Sequence, residues 1–173
     1  PILSFTADEI WQNIPGERAS SVFLTDYSDA ADILPESADF TDDFWRQLLD
    51  VKTAVNRELE VKRAEKTVGS GLSAEVDLYC EGDLAEILGR LEEELRFVLI
   101  VSRASILPAA AAPEAAVKTE VEGLSLTVSG SDHSKCERCW HHREDVGANA
   151  EYPGLCLRCV NNVDAEGEQR RYA

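Results

Sequence analysis

The sequence predicts an α+β fold built from several small parts: a helical segment, a small α/β segment and a C-terminal cysteine module. Three observations predict it. Apolar residues recur at helical spacing from Phe44 to Leu59, apolar and polar residues alternate from Ala74 to Cys80, and two Cys-x2-Cys pairs stand near the end of the chain. The expected boundaries are a helical portion over 1–69, a junction segment over 70–131 with an Ala/Pro-rich linker near 108–118, and a cysteine module over 132–173.

Thr6 followed three residues later by Glu9 fits a capping box, so a short helix should start there and stop before Pro15-Gly16. Ser21 to Tyr27 reads as extended or loop, and Asp29 to Asp39, with Pro35 inside it, as irregular. The strongest helix opens at Thr41-Asp42-Asp43, where Thr41 can cap and two aspartates face the positive end of the macrodipole. Phe44, Leu48, Val51, Val55 and Leu59 then fall on one face, with Arg46 and Arg57 opposite and Lys52 and Arg63 flanking. The pattern runs to about Thr67, and Gly69-Ser70-Gly71 is the expected stop.

The alternation over Ser73 to Cys80 predicts a half-buried strand. Asp83 to Leu95 returns to helical spacing through Leu84, Ile87, Leu88, Leu91 and Leu95. Phe97 to Val101 is a continuous apolar run and Ser105 to Leu107 partly another, and either could be strand. Pro108 to Ala116 reads as linker, and Val121, Leu124, Leu126 and Val128 as one more extended piece. The middle segment is too short for a large core of its own and should pack on its neighbours.

No apolar run reaches the roughly 18–20 residues needed to cross a bilayer, so no membrane partner is expected. Pro1 to Phe5 carry no basic region of a signal peptide, which predicts a cytoplasmic setting. The absence of methionine, even at position 1, is what a fragment or a processed product would show, and Pro1 to Phe5, which reads as the middle of a hydrophobic segment, makes a fragment the expectation. A net charge of −16 argues against nucleic acid when taken as a total. Its distribution says more. Residues 1–45 hold ten acids against Arg18 alone, residues 46–66 hold six bases and four acids, and residues 132–173 hold six bases, eight acids and all three histidines. The acidic excess lies away from the two segments that could face a phosphate backbone. A solvated helix face remains the plain alternative for the bases over 46–66.

Of five cysteines, Cys80 stands alone and should be a small buried apolar residue. Cys136-x2-Cys139-x16-Cys156-x2-Cys159 matches a four-cysteine zinc ribbon or knuckle. Two thiolates three positions apart on a tight turn can share one tetrahedral ion, and a second such turn supplies the other two. Disulfides are disfavoured without a secretory signal, and four-cysteine iron–sulfur sites usually have other spacings. His133, His141 and His142 could compete as ligands, but four cysteines already close the site. A closed all-cysteine set leaves no position for water, so the one Zn2+ expected is structural. Arg138 and Arg158 sit within the knuckles and can offset the thiolate charge. Trp140 follows Cys139 directly, among Arg138, His141, His142 and Arg143. Such an aromatic can stack on an unpaired base, or it can cover the knuckle as part of a mini-core; the residues alone leave both open.

Several stretches carry a family resemblance. Pro1-Ile2-Leu3-Ser4-Phe5-Thr6-Ala7-Asp8-Glu9-Ile10-Trp11 resembles the end of the helical anticodon-binding domain in class I synthetases for aliphatic amino acids. Glu58-Leu59, Lys62-Arg63-Ala64-Glu65-Lys66 and Gly69-Ser70 resemble the stretch that follows it in bacterial isoleucyl-tRNA synthetases. Cys136-Glu137-Arg138-Cys139-Trp140-His141, Leu155 to Val163 and Gly167 to Ala173 are similar to that family's zinc-binding C-terminus. The resemblance implies a parent enzyme that charges tRNA with isoleucine using ATP, of which this chain helps hold the anticodon stem-loop. It implies zinc ligands Cys136, Cys139, Cys156 and Cys159, and a Trp140 that stacks near the anticodon. Arg138, Arg143, Arg158, Arg170 and Arg171 are the implied phosphate or base contacts. The implied partners are isoleucine tRNA and the rest of the parent synthetase, with the chain itself a monomer. The family's His-Ile-Gly-His and Lys-Met-Ser-Lys-Ser signatures are missing, so no catalytic residue is assigned and the chain alone should be inactive. Two rivals come from other classes. One is a zinc-ribbon module for a protein partner, which the acidic body suits. The other is a DNA-glycosylase-type zinc finger protein, whose nucleophilic proline needs a glutamate after it, where Ile2 stands here.

Overall fold

A computed structural model describes residues 3–25 and 40–172. The expectations for Tyr27 and for Asp29 to Asp39 lie outside the described residues. The chain divides into two units, Pro1–Thr41 and Asp42–Ala173.

In the first unit, helix α1 spans Ser4–Asn13 and ends at Ile14, just before Pro15, as expected. It starts three residues earlier than the capping-box reading, which makes Thr6 the N-cap. Leu3 is the N-cap and makes no side-chain cap bond, which places Thr6 inside the first turn, where it cannot cap. The following segment folds back on the helix through polar contacts. Trp11 Nε1 donates to the Ala19 carbonyl at 2.9 Å, and Asp8 Oδ1 accepts from Ser21 Oγ at 2.6 Å and from Val22 N at 2.9 Å. Those bonds hold a short 3-10 turn at Val22–Leu24, within the stretch expected to be extended or loop.

The second unit begins with helix α2, Asp42–Ala64. Its predicted stripe of Phe44, Leu48, Val51, Val55 and Leu59 is buried throughout. Glu58 is buried as well, with Lys62 Nζ at 3.6 Å. The helix stops before the glycines. Lys66 adopts a left-handed φ of 61°, with Lys66 N on Arg63 O and Thr67 N on Lys62 O, both at 3.0 Å. This is a Schellman end made without glycine. Gly71 serves a different purpose: a Cβ there would lie 2.6 Å from the Ile100 carbonyl oxygen.

Strand β1 (Ala74–Tyr79) presents Ala74, Val76, Leu78 and the adjoining Cys80 to the core, as the alternation predicts. Burial pushes the Cys80 thiol up from its ordinary value, in keeping with a packing role. A crossover then returns the chain to strand β2 (Arg103–Leu107), parallel to β1, with Val76 beside Ala104. The crossover differs from expectation. The helical pattern over Asp83 to Leu95 breaks into helix α3 (Gly82–Gly89), a 3-10 turn at Glu92–Glu94 and helix α4 (Leu95–Leu99). Phe97 to Leu99 are therefore helical rather than strand, and Ile100 closes α4 with φ 58°. A short apolar run cannot distinguish a buried helical turn from a strand, and here the helix wins because Leu95 and Leu99 reach the core together.

The Ala/Pro-rich stretch makes a 3-10 turn at Ala109–Ala111 and ends in a two-residue edge strand, β3 (Val117–Lys118). Strand β4 (Ser125–Gly130) pairs antiparallel with β1 and β3, giving the sheet order β2-β1-β4-β3. Leu126 faces Leu78 across the central pair. Leu48, Val51, Val55, Val76, Leu78, Leu88, Leu91, Leu99 and Leu126 are fully buried. Each such side chain contributes about 1.5–3 kcal/mol by leaving water.

Ser102, at 0% exposure, ties this body to the cysteine module. Its Oγ donates to the Leu72 carbonyl and accepts the His142 backbone N–H at 2.7 Å. The tail is tied as well: Arg171 N and Tyr172 N both donate to the Glu94 carboxylate at 2.7 Å.

Candidate metal centre and nucleic-acid face

The first knuckle, Cys136 to Cys139, is held by a tight set of backbone bonds. Trp140 N donates to Cys136 O at 2.9 Å, and Cys136 N to His141 O at 2.9 Å. Lys135 and His142 bridge across its base. The second knuckle opens a helix: Cys156 is the N-cap of α5 (Leu157–Asp164) and Cys159 lies in its first turn. Glu137 N donates to Gly154 O at 3.0 Å and joins the knuckles; a Cβ on Gly154 would collide with the Glu137 carboxylate at 2.5 Å.

The four Sγ atoms of Cys136, Cys139, Cys156 and Cys159 lie within 4.8 Å of one another. A tetrahedral ion with metal–sulfur bonds near 2.3 Å needs sulfurs about 3.8 Å apart. Cys139 Sγ and Cys156 Sγ are 3.8 Å apart. Donors face the sulfurs too: Cys156 N–H points at Cys136 Sγ at 3.4 Å and Arg138 Nη1 at Cys159 Sγ at 3.7 Å.

The ionisation of the set points the same way. Burial opposes charge on Cys136, yet backbone N–H groups of Cys139, Cys156 and Arg138 outweigh it and lower the thiol to about 6. Burial, helped by the charge of Cys139, pushes Cys156 up to about 12, and burial also raises Cys159. Sulfurs this close cannot all be thiolates unless a cation lies among them. One structural zinc fits the donor set, the spacing and the burial. When bound, it supplies four bonds that close the module and leave no site for a reacting water.

His141 is buried behind the first knuckle, with its Nδ1–H on the Cys139 carbonyl at 3.2 Å. Burial, and then the charges of Arg96, Arg158 and Arg143, lower its pKa to about 4, so it is neutral. His133 and His142 are outside the cysteine cluster; His142 Nδ1–H donates to the His133 carbonyl at 2.8 Å.

The residues expected to face a nucleic acid do not share one place. Trp140 is 59% exposed, with Lys135 Nζ 5.2 Å from its ring centroid, and takes a left-handed φ of 66°. Such a backbone costs a non-glycine residue about 1–3 kcal/mol and persists only where its surroundings impose it. Arg138 turns back to the sulfurs. Arg158 and Arg170 lie over the Phe97 ring, to which His141 stands edge-on at 5.8 Å; Arg143 Nε is 3.9 Å from Asp145, and Arg171 stays apart with its guanidinium 5.7 Å from the Tyr172 ring. Arg96 joins them over the ring that Phe97 supplies from α4, and the sequence reading missed both. Their only sequence signal is one basic residue after the run Glu92-Glu93-Glu94.

A family model described as a zinc finger found in FPG and IleRS matches residues 134–162, which span both knuckles. That finger is common to two kinds of protein and does not separate them.

Over its whole length the chain is similar to bacterial isoleucine–tRNA ligases. It is 53% identical over 173 residues to the isoleucine–tRNA ligase of Pseudomonas paraeruginosa strain PA7, 52% to that of Pseudomonas putida strain GB-1 and 51% to that of Pseudomonas fluorescens strain Pf0-1. All of the chain is covered in each case, and it spans 18% of the length of each relative, at the C-terminal end. The zinc finger and the four-sulfur cluster thus sit in a region the ligase relatives share. Among the described residues, no helix is long and apolar enough to cross a membrane.

Proposed function

We propose that this chain is the tRNA-binding C-terminal part of an isoleucine–tRNA ligase and helps hold the anticodon stem-loop of isoleucine tRNA while the parent charges it. The observation that carries the reading is the 53% identity along all 173 residues. Residues 1–69 are the end of the helical anticodon-binding portion, 70–131 the junction segment and 132–173 the zinc module. Cys136, Cys139, Cys156 and Cys159 hold the zinc. Trp140 stacks on an anticodon-loop base, with Lys135 beside it to meet phosphate. Arg138, Arg143, Arg158, Arg170 and Arg171 supply the surrounding positive charge.

The parent synthetase is the second partner. Phe5 at 91% and Leu24 at 70% exposure are apolar side chains that the rest of a larger protein would cover. The chain acts as a monomer in the cytoplasm and has no synthetase activity alone, so ATP–pyrophosphate exchange should show no isoleucine-dependent turnover.

The test is a low-salt binding titration of the zinc-loaded chain against isoleucine tRNA and a non-cognate tRNA. Tighter binding of the isoleucine tRNA is expected, with Trp140→Ala costing about 1–3 kcal/mol, the worth of one stacked base. Equal binding of both tRNAs, unchanged by Trp140→Ala, would contradict the reading.

A further inference from the structure

The segment that follows helix α5 bonds to two parts of the molecule. It leaves the helix at a turn where Gly167 takes φ 87°, with Gly167 N on the Asn161 carbonyl at 3.2 Å and Glu168 N on Asn162 Oδ1 at 2.8 Å. A side chain is disfavoured at such a φ, a β-branched one most of all. The Glu168 carboxylate then reaches back to the zinc module, 2.8 Å from Arg158 Nη1. Two residues later the Arg170 guanidinium lies 4.1 Å from the centre of the Phe97 ring, which belongs to α4 in the crossover. Arg171 N and Tyr172 N complete the path, each donating to one oxygen of the Glu94 carboxylate at 2.7 Å.

Both ends of this path are specified. Glu94 closes the 3-10 turn Glu92–Glu94, in which Glu92 takes a left-handed φ of 47°. A residue other than glycine keeps such a backbone only where its surroundings impose it. Hydrogen bonds to an ionised acceptor are about twice as strong as neutral ones, and here one carboxylate takes two. The zinc module meets the body at a second point, next to its first knuckle. There His142 N donates to Ser102 Oγ at 2.7 Å, and the His141 ring stands edge-on to Phe97 at 5.8 Å. A small module held at one point can turn about it, whereas one held at two keeps a single direction.

We propose that residues 166–172 are a strap that fixes the direction of the zinc module on the helix–sheet body, with Glu94 as the positioning residue that fastens it. Zinc folds the module, and the strap aims it. The two equilibria are separate: an unfastened module keeps its ion and its internal bonds but swings about the Ser102 contact. The direction in which Trp140 faces is therefore set by a carboxylate in the crossover. The strap stands apart from the tRNA reading, since neither its bonds nor its test involves RNA.

The experiment is amide hydrogen exchange on the full zinc-loaded chain, read at His142, the anchor far along the chain from the strap. Val160, whose N–H bonds to Cys156 O inside the module, is the internal control. Glu94→Ala removes two charge-assisted bonds and should speed exchange at His142 by at least about tenfold. Val160 should exchange as before, and zinc should stay at one per chain. Glu94→Gln keeps one of the two acceptor oxygens and should give a smaller rise. Gly167→Val strains the turn at the other end of the strap and should reproduce the effect; it carries the test if Glu94→Ala does not fold. If both variants free only the Arg171 and Tyr172 amides and leave His142 as in the wild type, the segment fixes nothing and the proposal fails. It fails too if His142 and Val160 speed up together with loss of zinc, because the module would then be unfolding rather than swinging.

Discussion

The helix–sheet body and the cysteine module adjoin in one unit, yet different forces hold them together. In the body, leucines and valines from α2, the crossover and the sheet are removed from water entirely. In the module, the buried cluster is Cys136, Cys156 and Cys159, with only Cys139, Val146 and Leu155 packed against it. A core so small cannot balance the chain entropy of some forty residues. The body folds because apolar area is buried, and the module because four sulfurs share an ion. The second mode frees the module's surface, so an aromatic such as Trp140 can stay outside.

The largest effect expected follows from removing the ion. Structural zinc contributes about 10–16 kcal/mol in small zinc-folded peptides, so chelation should unfold residues 132–172 and leave the body folded. Amide NMR would show lost dispersion confined to the module. The reciprocal test is Leu126→Ala in the body, expected to cost about 2–5 kcal/mol in urea unfolding while zinc content stays at one per chain. Ser102→Ala probes the tie between the two regions. It strands the His142 N–H and the Leu72 carbonyl, and should cost about 1–3 kcal/mol, read as faster hydrogen exchange at His142.

Trp140→Gly should act in opposite directions on stability and binding. Glycine accepts the φ of 66° without strain, so zinc should be held more firmly, by about 1 kcal/mol, while tRNA affinity falls. A competitive chelator titration beside a tRNA titration measures both. The smallest effect concerns pH. Burial raises the Glu75 carboxyl, but hydrogen bonds from Ser131 and Arg103 and the Arg103 charge outweigh it and hold the group below its ordinary 4.5. A lowered carboxylate stabilises the fold fully above 4.5 and loses that contribution as pH falls through its folded value. Glu75→Gln should therefore reduce the loss of stability on acidification, as thermal melts between neutral and acid pH would show.

Much of this was legible in the sequence where one periodicity governed one element. The α2 stripe, the β1 alternation and the cysteine spacing each specify a face or a ligand set without outside help. What was not legible depends on partners far along the chain. Phe97 to Val101 could read as strand because so short an apolar run carries no decisive period, and α4 exists because Leu95 and Leu99 find a core. Lys66, Glu92, Ile100 and Trp140 take left-handed backbone without being glycine, so composition gives no sign of the turns they make. Arg96 looked like one charge beside an acidic run. Only the folded chain brings Arg158 and Arg170 to the same Phe97 ring.

The central claim is that zinc holds up a surface whose purpose is to meet RNA. The measurement that tests it most directly is the low-salt affinity of the full chain for isoleucine tRNA before and after zinc is stripped, with circular dichroism confirming that the body remains folded. Loss of one stacked base and one phosphate contact predicts a fall of at least about tenfold on stripping, restored by adding zinc back. An affinity unchanged by zinc removal would contradict the account and place any tRNA contact on the helical body.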